Sequence, residues 1–135
     1  MKRMLFVLAA ILMVTSLAQA QGVAVNAKTV EFTASADHDA LSIDGTPMVA
    51  RYEMRIYTET GGVLFSTTDL GKPVPVAGKI SVTNAVWFAG LTPRTKYLAR
   101  VVAMGGTGEG VSADSNPFGN VGPPLAVTPA PVVKK

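Results

Sequence analysis

Alternation with a period of two governs this chain from Gly22 to about Asn120, and that leaves few architectures open. In Arg51–Tyr57, the residues Tyr52, Met54 and Ile56 fall on one side and Glu53 and Arg55 on the other. Successive side chains of a strand point to opposite faces, so this run predicts a strand buried on one face and wet on the other, with Tyr57 outward. Val30, Phe32 and Ala34 share a face in Thr29–Ala34, and Tyr97, Ala99, Val101 and Ala103 share one in Tyr97–Ala103. Lys79–Thr83 alternates in the same way, and Val63–Thr67 forms a further run after Gly61-Gly62. No window beyond the first twenty residues has helical periodicity, so there are no crossover helices to build a parallel sheet. The expectation is an all-β fold, a sandwich or barrel of about seven short antiparallel strands separated by Gly, Pro, Asp and Asn turns.

The chain contains no cysteine. Disulfides, thiol nucleophiles and cysteine metal sites are therefore excluded, and the fold must rest on its core alone, which takes roughly 100 ordered residues. The formal net charge of +3 is misleading as a guide to partners. Lys2, Arg3, Lys134 and Lys135 lie at the two ends, and between Gly22 and Asn120 eight basic residues face nine acidic ones. A nearly neutral body lacks the basic footprint that nucleic acid requires.

The first residues read differently from the rest. Lys2-Arg3 precedes an apolar run from Met4 to Val14, and Ala18-Gln19-Ala20 follows. This is the order of an export signal: a basic start, an apolar stretch and a small-residue cleavage site formed by Ala18 and Ala20. A spanning helix needs about 20 apolar residues, more than this run supplies. Residues 1–20 are thus expected to be a signal peptide, 21–120 one β domain and 121–135 a proline-rich disordered tail. With no second long apolar stretch, stable membrane insertion is not expected after cleavage, and the destination is outside the cytoplasm.

One stretch is more specific. Leu91-Thr92-Pro93-Arg94-Thr95-Lys96-Tyr97 and then Val101 and Ala103 resemble the corner and following strand of a fibronectin type III domain, with Leu91, Pro93, Thr95, Tyr97, Val101 and Ala103 at the pattern's fixed positions. The resemblance implies an immunoglobulin-like sandwich in which Leu91 plugs the core, Pro93 stiffens the turn and Tyr97 returns its hydroxyl to the corner backbone. It also implies a scaffold that binds through loops or sheet faces. Val49–Met54 is similar to the family's third strand, and Gly105–Gly110 followed by Val111-Ser112-Ala113 to its last loop and strand. Departures are a missing core Trp, for which Phe32 substitutes, a long connection between Phe32 and Tyr52, and a weak first strand at Val23–Val25. An immunoglobulin-like sandwich of another branch is the alternative.

Candidate chemistry is sparse. Asp37-His38-Asp39 with Asp44 is the densest polar cluster, but its spacing fits neither a calcium loop nor a paired-histidine zinc site, and it reads as an exposed polar loop. Gly105–Gly110 precedes a strand rather than a helix, so it reads as a flexible hairpin loop and not as a phosphate cradle. A single His, no Cys and no nucleophile-elbow motif leave a catalytic triad without support. No cofactor or metal is expected, and the chain is not read as an enzyme. Alternation through Trp87-Phe88 would bury one ring and leave the other partly exposed. The leading expectation is a binding or structural module for a protein or glycan, using the loops Ser35–Thr46 and Gly105–Gly110. The alternative is a subunit of a surface assembly joined by sheet edges.

The signal reading makes a direct prediction: the exported protein begins at Gln21, because Ala18 and Ala20 suit the small pockets of a signal peptidase. Intact-mass measurement of exported protein checks it, and a mass that retains Met4–Val14 would indicate a membrane-anchored chain instead.

Overall fold

A computed structural model describes residues 22–125 and 132–135. The expected signal peptide, with Ala18 and Ala20, lies outside the described residues. The elements are β1 (Ala24–Val25), β2 (Thr29–Thr33), β3 (Arg51–Thr58), β4 (Leu64–Gly71), β5 (Lys79–Thr83), α1 (Val86–Ala89), β6 (Tyr97–Gly105), β7 (Gly108–Val111) and β8 (Phe118–Gly119). They form an all-β sandwich of two sheets. The larger has the order β1-β8-β6-β3-β4, with β7 also on β6, and the smaller is the antiparallel pair β2–β5. All pairings are antiparallel except β1 with β8.

The alternation read from sequence becomes the core. Tyr52, Met54 and Ile56 of β3 are buried, as are Tyr97, Ala99 and Val101 of β6, and Ile80 meets them from the smaller sheet. Val30, Phe32 and Val82 pack partly buried on the same cluster. Each large side chain taken out of water in this way stabilises by about 1.5–3 kcal/mol. The opposite face of β3 is not simply wet, contrary to expectation. Glu53 is only 7% exposed, because the guanidinium groups of Arg55 at 2.8 Å and Arg51 at 3.3 Å close over its carboxylate. Its cross-strand neighbour Val102 is fully buried on that outer face.

Two strands depart from simple alternation. β4 runs on to Gly71, beyond the expected end at Thr67, and its register against β3 slips at Leu70 and at Phe65. Each slip is an extra residue on β4, a bulge that turns the strand. It buries Leu70 and brings Phe65 edge-on to Tyr97 at 5.0 Å. The last strand is also interrupted, where a continuous Val111–Ala113 was expected. β7 ends at Val111, and two serines carry the ladder onward. Val101 N–H donates to Ser112 Oγ and Ala99 N–H to Ser115 Oγ, both at 2.9 Å. The backbone N–H groups of the same serines donate to the Val101 and Ala99 carbonyls.

Trp87 and Phe88 lie on α1, a single turn too short to show a period in sequence. Phe88 is buried against Phe118 at 5.6 Å, and Trp87 packs partly buried on the core. In the corner that follows, Leu91 and Tyr97 are buried and Pro93 is exposed. Thr92 N–H donates to the Tyr97 hydroxyl at 3.1 Å, so a backbone group at the corner is satisfied by a side chain rooted in β6. Beyond β8, Asn120 donates to the Phe88 carbonyl at 2.8 Å, Val121 N–H to Asn26 Oδ1 at 3.3 Å, and Arg94 to the Pro123 carbonyl.

Removing that hydroxyl should be expensive, since it strands the Thr92 N–H in a partly buried place. Tyr97→Phe is expected to lower stability by about 1–3 kcal/mol. Tyr57→Phe should have little effect, because it retains the ring that stacks under the Arg100 guanidinium at 4.9 Å. Urea unfolding midpoints of the two variants decide; equal midpoints would show that the corner bond is dispensable.

Candidate functional site

The connection from β2 to β3 is the longest excursion in the domain, and Tyr52 anchors it. The Tyr52 ring lies in the core, while its hydroxyl emerges at the end of the sandwich. There it accepts from Ser35 N–H at 3.1 Å and meets His38 Nδ1 at 2.8 Å. The imidazole stacks on the phenol ring, with centroids 5.6 Å apart and planes 15° from parallel. His38 is therefore 7% exposed and not part of an exposed loop, as expected from sequence. Asp37 and Asp39 do face solvent. The cause is packing: an imidazole is flat and apolar on its faces, and Tyr52 offers both a surface and a hydrogen bond.

Beyond His38 the chain forms a small hairpin closed by Leu41 and Pro47. Ser42 N–H donates to the Thr46 carbonyl at 2.8 Å, and Gly45, at φ +82°, supplies the left-handed residue of the turn. The Asp44 carboxylate fills the turn, accepting from the Ser42 hydroxyl, from the Thr46 hydroxyl at 2.7 Å and from Thr46 N–H at 3.1 Å. These donors, the Ser42 hydroxyl foremost, hold its pKa down from 3.8 to about 2. These polar side chains thus bond to one another while Asp44 and Thr46 stay exposed, and beside them the turn presents two large apolar side chains. Ile43 is fully exposed and Leu41 is 63% exposed.

The second expected binding segment is brought to the same end, in a different form. Gly105–Gly110 is not a flexible loop: Gly105 ends β6, Gly108 starts β7, and only Gly106-Thr107 turns between them. The Met48 carbonyl lies so close to Gly105 that a Cβ there would stand 1.9 Å from it. Ala50 N–H donates to the Met104 carbonyl at 2.7 Å in the same seam. A cleft of about 240 Å³ separates the two segments, with Asp37, Met48, Thr107 and Glu109 among its walls. Glu109 is held by Arg55 through two bonds of 2.9 and 3.2 Å, which keep its carboxyl below the usual range and raise the Arg55 guanidinium.

A second concavity runs along the flank. β1 pairs with β8 and not with β2, so one edge of β2 is open over a groove of about 510 Å³. Sequence reading missed it because the groove depends on which strand β1 chooses, and β1 has only two residues. Among the described residues, no three His, Asp or Glu side chains converge as metal ligands would. Compared with known proteins, the chain matches no family model and no curated protein sequence.

The locked turn has a measurable signature. Asp44 should titrate near pH 2 by carboxyl NMR, and Ser42→Ala should move it up toward 3.8. Because the folded pKa is the lower one, its stabilising effect is complete above about pH 4 and is lost as pH falls from there through 2. An unshifted Asp44 would mean that the turn is open in solution.

Proposed function

We propose that this chain is an exported, non-catalytic binding module of fibronectin type III kind, and that it recognises a protein or glycan with the loop end of the sandwich. The observation that carries this reading is the exposed pair Leu41 and Ile43 on a turn whose polar side chains, Ser42, Asp44 and Thr46, bond to one another. A rigid apolar projection loses little entropy on docking and gains by being covered. Buttressing from Tyr52 and from the Gly105–Met48 seam fixes its direction.

Further support comes from the frame. β2–β5 opposes β4-β3-β6-β7, and at the corner Leu91 and Tyr97 are buried with the Tyr97 hydroxyl accepting from Thr92 N–H, which supports the family reading. The reading as non-catalytic is supported by the only imidazole in the chain, which is buried and bonded to Tyr52. Export is supported by the order of Lys2-Arg3, the apolar run and Ala18-Gln19-Ala20. No helix among the described residues is long and apolar enough to cross a membrane. Fold alone does not choose a ligand, so the loop chemistry carries the functional weight.

Site-specific photo-crosslinking tests this. A photoreactive residue is placed at position 43 or, as a control, at 67 on β4, in protein expressed in its native host. A defined adduct is expected from position 43 alone and should disappear with Leu41→Asp. Equal adducts from both positions, or an adduct insensitive to Leu41→Asp, would remove the loop end as the site.

A further inference from the structure

The open edge of β2 has a defined hydrogen-bonding pattern. Ala34 N–H donates to the Gly78 carbonyl and Asn84 N–H to the Lys28 carbonyl, so the even-numbered residues of β2 bond to β5. The odd-numbered ones, Thr29, Glu31 and Thr33, turn their N–H and C=O groups the other way. Among the described residues these groups have no backbone partner. Below that edge lies the flank groove, whose apolar walls include Phe32, Val101, Ala103 and Val111. An unpaired edge beside an apolar trough fits an extended strand and little else.

The chain itself contains a segment of that description. Leu125–Val133 is free of charged residues, and Leu125, Val132 and Val133 are exposed. Its prolines within that stretch, Pro129 and Pro131, are two apart. In an extended strand the N–H groups they lack fall on one edge, and the other edge keeps those of Ala126, Thr128, Ala130 and Val132. The segment ends in Lys134-Lys135, while the charged residues lining the groove, Glu31 and Asp114, are both acidic. Each already has a basic neighbour, Lys79 at 3.2 Å and Arg100 at 2.5 Å. Charge therefore favours the orientation more than the affinity.

We propose that the C-terminal segment Leu125–Lys135 of one copy adds as a strand to the β2 edge of a second copy, filling the flank groove. A second copy is favoured over the chain's own groove because Pro123, whose carbonyl Arg94 holds, is followed directly by Pro124. They disfavour the reversal that a return would need. Groove and segment are different surfaces, so the contact is heterologous: it closes when two copies exchange segments or a ring forms, and otherwise extends into chains. This proposal goes beyond the loop-end reading and does not depend on it.

The absence of native cysteine allows a clean test on the full mature chain. Protein with Ala113→Cys at the groove is mixed with protein carrying Val133→Cys, and a thiol crosslinker of short reach is added. Crosslinked heterodimer is expected to exceed by about tenfold that formed with Thr67→Cys on β4, a difference of about 1.4 kcal/mol. It should fall when Lys134 and Lys135 are both changed to Glu, which sets like charge against Glu31 and Asp114, and sedimentation should show concentration-dependent oligomers. Equal crosslinking at positions 113 and 67 would overturn the proposal. So would a 113–133 crosslink formed only within one chain of the double variant, which would place the segment on its own groove. Circular dichroism of each variant confirms folding, and the position-43 adduct is scored separately, so either reading can fail alone.

Discussion

Tyr52 is the residue on which the two parts of this molecule meet. Its ring packs on Phe32 of the smaller sheet at 5.1 Å, and its own strand lies between β6 and β4 in the larger sheet. Its hydroxyl then organises the start of the β2–β3 excursion through Ser35 and His38. Core packing and loop conformation are therefore one problem here. Buried aromatic groups with a polar tip suit such a place, because the ring gains by leaving water while the hydroxyl still finds partners. Tyr97 does the same at the opposite end, through Thr92. With no disulfide to tie the loops down, two tyrosines fasten both ends of the sandwich.

Much of the fold was legible because its central strands obey one rule. Tyr52, Met54 and Ile56, and then Tyr97, Ala99 and Val101, alternate without error, and all are buried. The strand Lys79–Thr83 was legible for the same reason. What was hidden involved residues that break the period or partners far away in sequence. The extra residues Phe65 and Leu70 erase the alternation of β4. Ser112 and Ser115 replace backbone acceptors with hydroxyls, so a strand that ends by local rules continues by side-chain bonds. The single turn Val86–Ala89 is shorter than any helical period can reveal.

The candidate site was legible in outline only. Its two segments were identified as loops at one end of the sandwich, and there they face one another across a cleft. Their character was not readable. His38, between two aspartates, looks like a solvated residue until Tyr52, fourteen positions away, is placed beneath it. The glycines at 105–110 look flexible, yet most lie in strands, and Gly105 is there for close approach to a carbonyl. Glu53 looked like an ordinary wet residue, and two flanking arginines cover it instead.

The seam at Gly105 has a mechanical consequence. With a carbonyl occupying the place of a side chain, the hairpin and the excursion are barred from sliding past one another in one direction. A slip that brought Met104 against Met48 would put a side chain where there is no room, whereas the opposite slip would bring Gly106, which carries none. Gly105 thus acts as a one-way stop between the excursion and the β3–β6 ladder.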